Sequence, residues 1–219
     1  MSASSPYDEV MVATAREPLT RERVIEAAVV FADEHGVDDL SMRKLGAELG
    51  VEAMSLYNHV ENKDAMLDGM IDFVFSTIPI PDGELDWKDH LRRLGRGTMT
   101  NFGGHPWVVN VCMTRGLLGP GALTFMDHVL GVLADAGFDD ESAHHAWQML
   151  ASHTMGYAFQ ASAGVTKKDH AEFEMMIPRL AREVPNVARL APFLIGCSWD
   201  DEYMFGLEII LDGLEARLE

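Results

Sequence analysis

The chain has 219 residues and a formal net charge of −18, with 47% apolar and 24% charged residues. This composition is typical of an ordered globular protein and excludes a collagen-like or low-complexity one. No apolar run reaches the roughly 18 residues of a membrane span, and the first residues lack the basic start and apolar block of a signal peptide. We therefore expect a cytoplasmic protein without membrane contact. Its two cysteines, Cys112 and Cys197, have no regular spacing, which favours buried, reduced thiols over a disulfide framework or zinc finger.

An arm and a capped helix open the chain. Residues 1–17 are polar, small and aperiodic, which predicts a flexible N-terminal arm. Thr20 is placed to cap a first helix with an apolar stripe, and Gly36 is placed to end it.

A helix-turn-helix is predicted next. Ser41 can cap a second helix, and Gly50 can stop it in a left-handed turn before a short third helix at residues 52–60. Two helices joined by such a turn form a helix-turn-helix. When Leu56 and Val60 face the core, the outer face of the third helix is flat and nearly uncharged, as expected of a contact surface.

The domain boundary is predicted at residues 78–84, where two prolines and a glycine interrupt a fourth helix that Asn62 can cap. Residues 18–78 then form one domain and residues 85–219 a larger one. Because strand-like alternation is scarce, the predicted fold class is all-α. Helices of the larger domain are predicted at about residues 86–101, 106–116, 121–136, 141–163, 171–182 and 199–218.

The acidic charge of the chain argues against nucleic-acid binding, because attraction to phosphate supplies most non-specific affinity for DNA. Screening confines such fields to about 8 Å at physiological salt, so the local charge of a segment counts for more than the total. Residues 41–63 are neutral, because three cations (Arg43, Lys44, Lys63) balance three anions (Glu48, Glu52, Glu61). This favours a local contact surface on an acidic body.

The run LGVEAMSLYNHVENKD, residues 49–64, closely resembles the tetracycline-repressor (TetR) family of bacterial regulators. The closing FGLEIILDGLEARL, residues 205–218, and the spacing of the later helices resemble the regulatory half of the tetracycline-repressor branch. The resemblance implies an all-α homodimer with an N-terminal three-helix helix-turn-helix DNA-binding domain and a larger helical ligand-binding and dimerisation domain. Such proteins bind palindromic operators, usually as repressors, and release them when a small molecule occupies the larger domain.

The resemblance also implies which side chains meet double-stranded DNA. Arg43 could donate two hydrogen bonds to guanine, whereas Met54 offers only apolar contact, for instance to a thymine methyl group. For Tyr57 and His59, packing at a helix edge is the alternative. By motif position, base contacts fall to Arg43, Ala53, Met54 and Ser55, phosphate contacts to Ser41, Tyr57, His59 and Lys63, and Asn58 is ambiguous.

A homodimer is expected because two-fold pairing supplies a second half-site about one DNA turn away. Gly206 and Gly213 in the last helix, and Met149, Gly156 and Ala163 in an earlier one, repeat a seven-residue spacing that suits close helix packing in a four-helix interface. A monomer that buries both helices is the alternative. The apolar stripe of the last helix consists of Tyr203, Leu207, Ile210, Leu211, Leu214 and Leu218.

An organic effector is expected in the larger domain, where apolar side chains are mixed with side chains that end in a polar group. Core packing explains most of these side chains equally well. The magnesium-binding histidines of tetracycline-binding family members have no recognisable counterparts, so we predict no metal, no cofactor and an effector other than tetracycline. The candidate ligand residues are Phe102, His105, Trp107, Met113, Phe125, Trp147, His153, Tyr157, Phe173 and Met176.

Effector binding is expected to shift the fourth helix through the hinge near residues 78–84 and to change the separation of the two DNA-binding heads. A coupling of about 1 to 3 kcal/mol would lower operator affinity some 5- to 150-fold.

Two rival functions are an enzyme and a helical ligand carrier with an inactive helix-turn-helix. His144, His145 and His153 share a helix but lack the spacing and nearby acid of a helical metal site. The GLLGPG run at residues 116–121 has no preceding strand, which favours a turn over a phosphate loop. Cys112 has no identifiable base. Selection from random duplex DNA separates a regulator from either rival.

Overall fold

The computed structural model describes residues 18–115, 119–163, 167–196 and 198–218. The predicted arm at residues 1–17, the first half of the GLLGPG run (residues 116–118) and Cys197 lie outside these ranges. Within them the chain is all-α, as predicted. Its eleven α-helices are α1 (Arg21–His35), α2 (Met42–Leu49), α3 (Ala53–Leu56), α4 (Lys63–Ser76), α5 (Trp87–Gly104), α6 (Trp107–Thr114), α7 (Pro120–Asp135), α8 (Asp140–Ser162), α9 (Lys167–Glu183), α10 (Pro185–Gly196) and α11 (Trp199–Glu215).

Side-chain caps start α1, α2 and α4 at the residues that the sequence predicts. The side-chain oxygens of Thr20, Ser41 and Asn62 each accept a hydrogen bond from the backbone N–H three residues further on, at 3.2, 3.3 and 2.8 Å respectively. Each cap satisfies a donor that the helix itself leaves unpaired. The local sequence therefore fixes where these helices begin.

The helix-turn-helix has a tight turn and a shorter second helix than predicted. Gly50 adopts the left-handed conformation, with φ 63° and ψ 35°. A Cβ atom at Gly46 would lie 2.9 Å from the carbonyl oxygen of Val51, so only glycine lets the turn pack this closely. The prediction of a helix over 52–60 was wrong in its extent: α3 ends at Leu56, and the N–H groups of Asn58 and His59 bond to carbonyls three residues back and form a turn.

The larger domain is built around α5, which packs against α7, α8 and α11. Lys88 on α5 donates to Asp212 and Glu215 on α11, at 2.6 and 2.8 Å, and Arg92 donates to Glu208 on α11 at 2.5 and 2.9 Å. These bonds line up along the two helices and hold α11 on α5.

Helix α10 was not predicted from the sequence, and α9 is longer than the predicted 171–182. A proline at its first position and another in its interior obscure the helical pattern of α10. The two helices pack chiefly against each other. None of the described helices is long and apolar enough to cross a membrane.

Candidate DNA-contact face and ligand cavity

The face predicted to meet DNA lies in solvent. Leu56 and Val60 are buried, as predicted, whereas Met54 is 72% exposed and Tyr57 45% exposed. Arg43 on α2 and Asn58 in the turn after α3 are exposed. Because Leu56 and Val60 point into the core, the exposed side chains of residues 54–58 form a short, uncharged ridge on the outside.

The other predicted DNA residues flank this ridge. Ser41 uses its hydroxyl oxygen to cap α2, which leaves the hydroxyl hydrogen available to a phosphate. Lys63 is exposed and is the first residue of α4, where the positive end of the helix dipole also favours an anion. Ala53, Ser55 and His59 are half-buried.

Two cations of this region are uncommitted. Lys44 donates to Asp39 at 2.8 Å, whereas Arg43 and Lys63 form no ion pair with any residue that the structure describes. We refer to Arg43, Met54, Tyr57, Asn58 and Lys63 together as the contact face. Its two cations are free to meet phosphate or base edges.

Helix α4 is tied to the larger domain by three aspartates that are spaced one turn apart. Arg115, just after α6, donates to Asp64 at 2.9 Å and to Asp68 at 2.6 Å. Asp72 accepts hydrogen bonds from the backbone N–H groups of Gly121 and Ala122 at the start of α7. The helix that begins at Lys63 is therefore held along its length by Arg115 and by the first turn of α7.

A second connection joins α1 to α6. The carboxylate of Asp33 accepts a hydrogen bond of 2.6 Å from Trp107 Nε1 and one of 2.9 Å from His105 Nδ1. Trp107 is only 5% exposed. These two aromatic residues were predicted ligand residues, and the structure places them at the contact between the domains.

A cavity of about 70 Å³ lies between the end of α4 and helices α5, α7, α8 and α11 of the larger domain. Three predicted ligand residues line it, and twelve lining residues were not predicted. Five lining residues of α5, the predicted Phe102 and four that were not predicted, stand at i, i+3, i+4, i+7 and i+11, and this helical spacing is the signal that could have identified those four. The lining consists of Phe75, Leu91, Leu94, Gly95, Thr98, Phe102, Phe125, Val129, Trp147, Leu150, Ala151, Thr154, Met155, Tyr203 and Leu207.

The polar side-chain groups of the described lining residues are three hydroxyls, on Thr98, Thr154 and Tyr203, and the indole N–H of Trp147. The hydroxyl oxygens of Tyr203 and Thr154 lie 3.1 Å apart, and Thr98 donates to the carbonyl oxygen of Leu94 at 2.9 Å. Burial raises the pKa of Tyr203, so its hydroxyl remains protonated at neutral pH. The cavity therefore offers hydrogen bonds without charge.

The other predicted ligand residues lie around or away from the cavity. His153 donates from Nε2 to the backbone oxygen of Tyr203 at 2.9 Å and stacks on its ring, and Tyr157 contacts both rings edge to face. Met113 on α6 is 65% exposed. Phe173 and Met176 lie on α9, where Phe173 is half-buried and Met176 is 48% exposed.

An apolar groove of about 720 Å³ runs between α8 and α11 on the outside of the domain. Met149 on α8 and Ile209 on α11 line it and are half exposed or more, and Gly213 is open to the outside. At Gly206 the space is taken by His153 of the same chain instead of a neighbouring helix. Of the predicted stripe, Tyr203, Leu207, Leu211 and Leu214 are buried in their own subunit.

Family models match both parts of the chain. Residues 24–70 match the model described as bacterial regulatory proteins, tetR family. Residues 79–218 match the model described as tetracyclin repressor-like, C-terminal domain. The gap between the two matches, residues 71–78, covers the end of α4 and the first two residues of the linker before α5.

Individual relatives agree with these matches. The HTH-type transcriptional repressor DrrR1 of Streptomyces coeruleorubidus is 34% identical over 95% of this chain and 84% of its own length. The crystal structure of ActR of Streptomyces coelicolor in complex with actinorhodin has a TM-score of 0.81, at 30% identity over 91% of this chain and 97% of that one. A class A tetracycline repressor protein from Escherichia coli is 28% identical over 89% of both chains.

Proposed function

The chain belongs to the TetR family of ligand-responsive, DNA-binding transcriptional regulators, and we propose that it represses transcription as a homodimer on a palindromic operator, from which a small molecule releases it. The observation that carries this proposal is the exposed contact face, with two uncommitted cations on a helix-turn-helix. The protein would act in the cytoplasm, by binding rather than by catalysis.

The contact face suits the major groove of DNA because it combines apolar and polar side-chain ends with only two charged groups. Met54, at 72% exposure, can reach the edge of a base pair, while Arg43 and Lys63 stand where guanine or phosphate contacts would form. Since the rest of the chain is acidic, affinity depends on these placed groups, with little help from long-range attraction.

The groove between α8 and α11 supports the homodimer. Met149 and Ile209 expose half or more of their surface there, and Gly213 leaves room for a close helix. A second copy placed about a two-fold axis would cover the same groove on both subunits and form a four-helix interface. Sedimentation that shows only monomer at micromolar concentration would reject the dimer.

Release by a ligand would pass through α4, which begins at the phosphate-contacting Lys63. The cavity lies against Phe75 near the end of α4 and Phe125 on α7, so a ligand that separates these helices also moves the anchors on α4. Those anchors are the bonds from Arg115 to Asp68 and from the start of α7 to Asp72. A coupling of about 1 to 3 kcal/mol lowers operator affinity some 5- to 150-fold.

Selection from random duplex DNA tests the proposal. We expect an inverted repeat with half-sites about one helical turn apart. Arg43→Ala should relax the preference at one base pair per half-site, with a loss of about 1 to 3 kcal/mol on the preferred base. Lys63→Ala should weaken binding to all sequences alike and make it less dependent on salt.

Arg93→Ala is the matched control, because Arg93 is an exposed cation of the larger domain that forms no ion pair among the described residues. It should leave both affinity and sequence preference unchanged. Recovery of no inverted repeat would favour a ligand carrier with an inactive helix-turn-helix. An equal loss on specific and random DNA for Arg43→Ala would contradict its assignment to a base.

A further inference from the structure

We infer that the cavity takes an uncharged aromatic molecule that presents a hydrogen-bond acceptor, such as a carbonyl oxygen, to the hydroxyl pair of Tyr203 and Thr154. The inference rests on the proposed function only in treating this cavity as the effector site. Its three supports are the count of hydroxyl hydrogens, the aromatic wall and the absence of charge among the described residues of the lining.

The hydroxyl pair has one hydrogen more than it can use internally. The two oxygens lie 3.1 Å apart, and either Tyr203 or Thr154 can be the donor in the bond between them. Each hydroxyl carries one hydrogen, so the second one has no acceptor among the described residues. When Thr154 donates to Tyr203, the spare hydrogen lies on Tyr203, which is only 1% exposed, so bulk water does not satisfy it; in the reverse arrangement it lies on the half-buried Thr154. A buried donor without a partner is costly, and a ligand oxygen would remove that cost.

The position of the pair is fixed by a glycine on the facing helix. A Cβ atom at Gly95 would lie 2.5 Å from Tyr203 Oη, so a larger residue on α5 would displace the hydroxyl. The missing side chain leaves Oη seated over α5 and within reach of the cavity. The remaining hydroxyl of the lining, on Thr98, already donates to a backbone carbonyl and cannot replace this donor.

Aromatic rings form one continuous wall of the cavity. Phe75 contacts Phe102 and Phe125 edge to face, with centroids 5.6 and 5.8 Å apart. Phe125 contacts Trp147 in the same way at 6.3 Å. Such a wall favours a flat ring system that continues the edge-to-face packing.

Charge on the ligand would be disfavoured. The described lining residues include no acidic, basic or histidine side chain. A carboxylate or ammonium group that left water for this cavity would find no counter-charge and would lose its hydration. A neutral oxygen acceptor is therefore the polar group that the cavity can accommodate.

Three small bicyclic probes of matched shape test the inference by calorimetry on the full chain without DNA: 1-indanone, indane and indane-1-carboxylate. We expect 1-indanone to bind about fivefold more tightly than indane, the value of one net neutral hydrogen bond, and the carboxylate not to bind measurably. In the double variant Tyr203→Phe/Thr154→Val both hydroxyls are gone, so no partner is left unpaired. This variant should keep the affinity for indane and lose the preference for 1-indanone.

Tyr57→Phe is the matched control, because it removes an exposed tyrosine hydroxyl from the other domain; it should change none of the three affinities. If the double variant does not fold, the carbonyl stretch of 1-indanone bound to the wild-type protein decides. A shift to lower frequency than in hexane is expected, and an unshifted band would overturn the inference.

The inference is also overturned if neither neutral probe binds, if indane binds as tightly as 1-indanone, or if the carboxylate binds best. None of these results bears on DNA binding. An inverted repeat selected from random DNA, combined with failure of the probes, would leave the proposed regulator intact and reject only the ligand class. Preferential binding of 1-indanone, combined with failure to select any operator, would support the ligand class and reject the proposed regulator.

Discussion

Replacing Asp33 by alanine should destabilise the protein well beyond the usual effect of a surface substitution. The carboxylate accepts bonds from Trp107 Nε1 at 2.6 Å and His105 Nδ1 at 2.9 Å. Because Trp107 is 5% exposed, its indole N–H would lose its partner without gaining water. Such an unsatisfied buried donor costs about 1–3 kcal/mol. The bond from His105 adds little to the stability, because the side chains of His105 and Asp33 are both partly exposed to solvent.

We therefore expect a loss of about 2 kcal/mol in the free energy of unfolding for Asp33→Ala. For a chain of this size that corresponds to a fall of about 4–8 °C in the melting temperature. Thermal unfolding followed by circular dichroism measures it. Glu34→Ala, the next position of α1 and an exposed one, is the matched control and should change the melting temperature little.

A double-mutant cycle identifies the cause of the loss. In a Trp107→Phe background the indole donor is absent, so Asp33→Ala should cost about 1 kcal/mol less than in the wild-type protein. Equal costs in the two backgrounds would refute the reasoning, as would a melting temperature for Asp33→Ala that matches that of Glu34→Ala.

Three further predictions concern other parts of the chain. Gly46→Ala should destabilise the DNA-binding domain by about 1–3 kcal/mol and weaken operator binding, because the new methyl group meets backbone atoms; Gly131→Ala, which meets nothing within 4 Å, is the control in thermal melts and operator titrations. Burial raises the pKa of the Cys112 thiol to about 12, so iodoacetamide at mildly alkaline pH should alkylate it only after unfolding, as peptide mass spectrometry would show. Burial, and then the charge of His128, lowers the pKa of His90 below 6.5. Its unfolded form therefore takes up a proton first as the pH falls, and stability, complete above about pH 6.5, declines below it. His90→Gln should flatten that decline in urea titrations, and an unchanged pH profile would contradict the assignment.

The elements that local chemistry determines could be predicted from the sequence. Thr20, Ser41 and Asn62 act as caps, because a side-chain oxygen and a free N–H three residues later suffice for that role. Gly50 stops α2 in the left-handed conformation because few other residues adopt it readily. These interactions involve only near neighbours, so a single sequence records them.

The contacts between distant segments could not be predicted in this way. Asp33 meets His105 and Trp107, which lie more than 70 residues further along the chain, and no local pattern pairs them. The same limit explains why only three of the ten predicted ligand residues line the cavity. Aromatic residues on buried helix faces look alike in sequence, whether they border a cavity, a domain contact or the packed core.

The small size of the cavity has a consequence for the kinetics of ligand entry. Its volume of about 70 Å³ is well below the roughly 300–1,000 Å³ of common ligand sites. A molecule larger than a single ring can enter only while the surrounding helices are transiently apart. Its affinity is then lowered by the rarity of that open form. As the ligand concentration rises, the observed association rate should therefore level off at the rate at which the helix bundle opens.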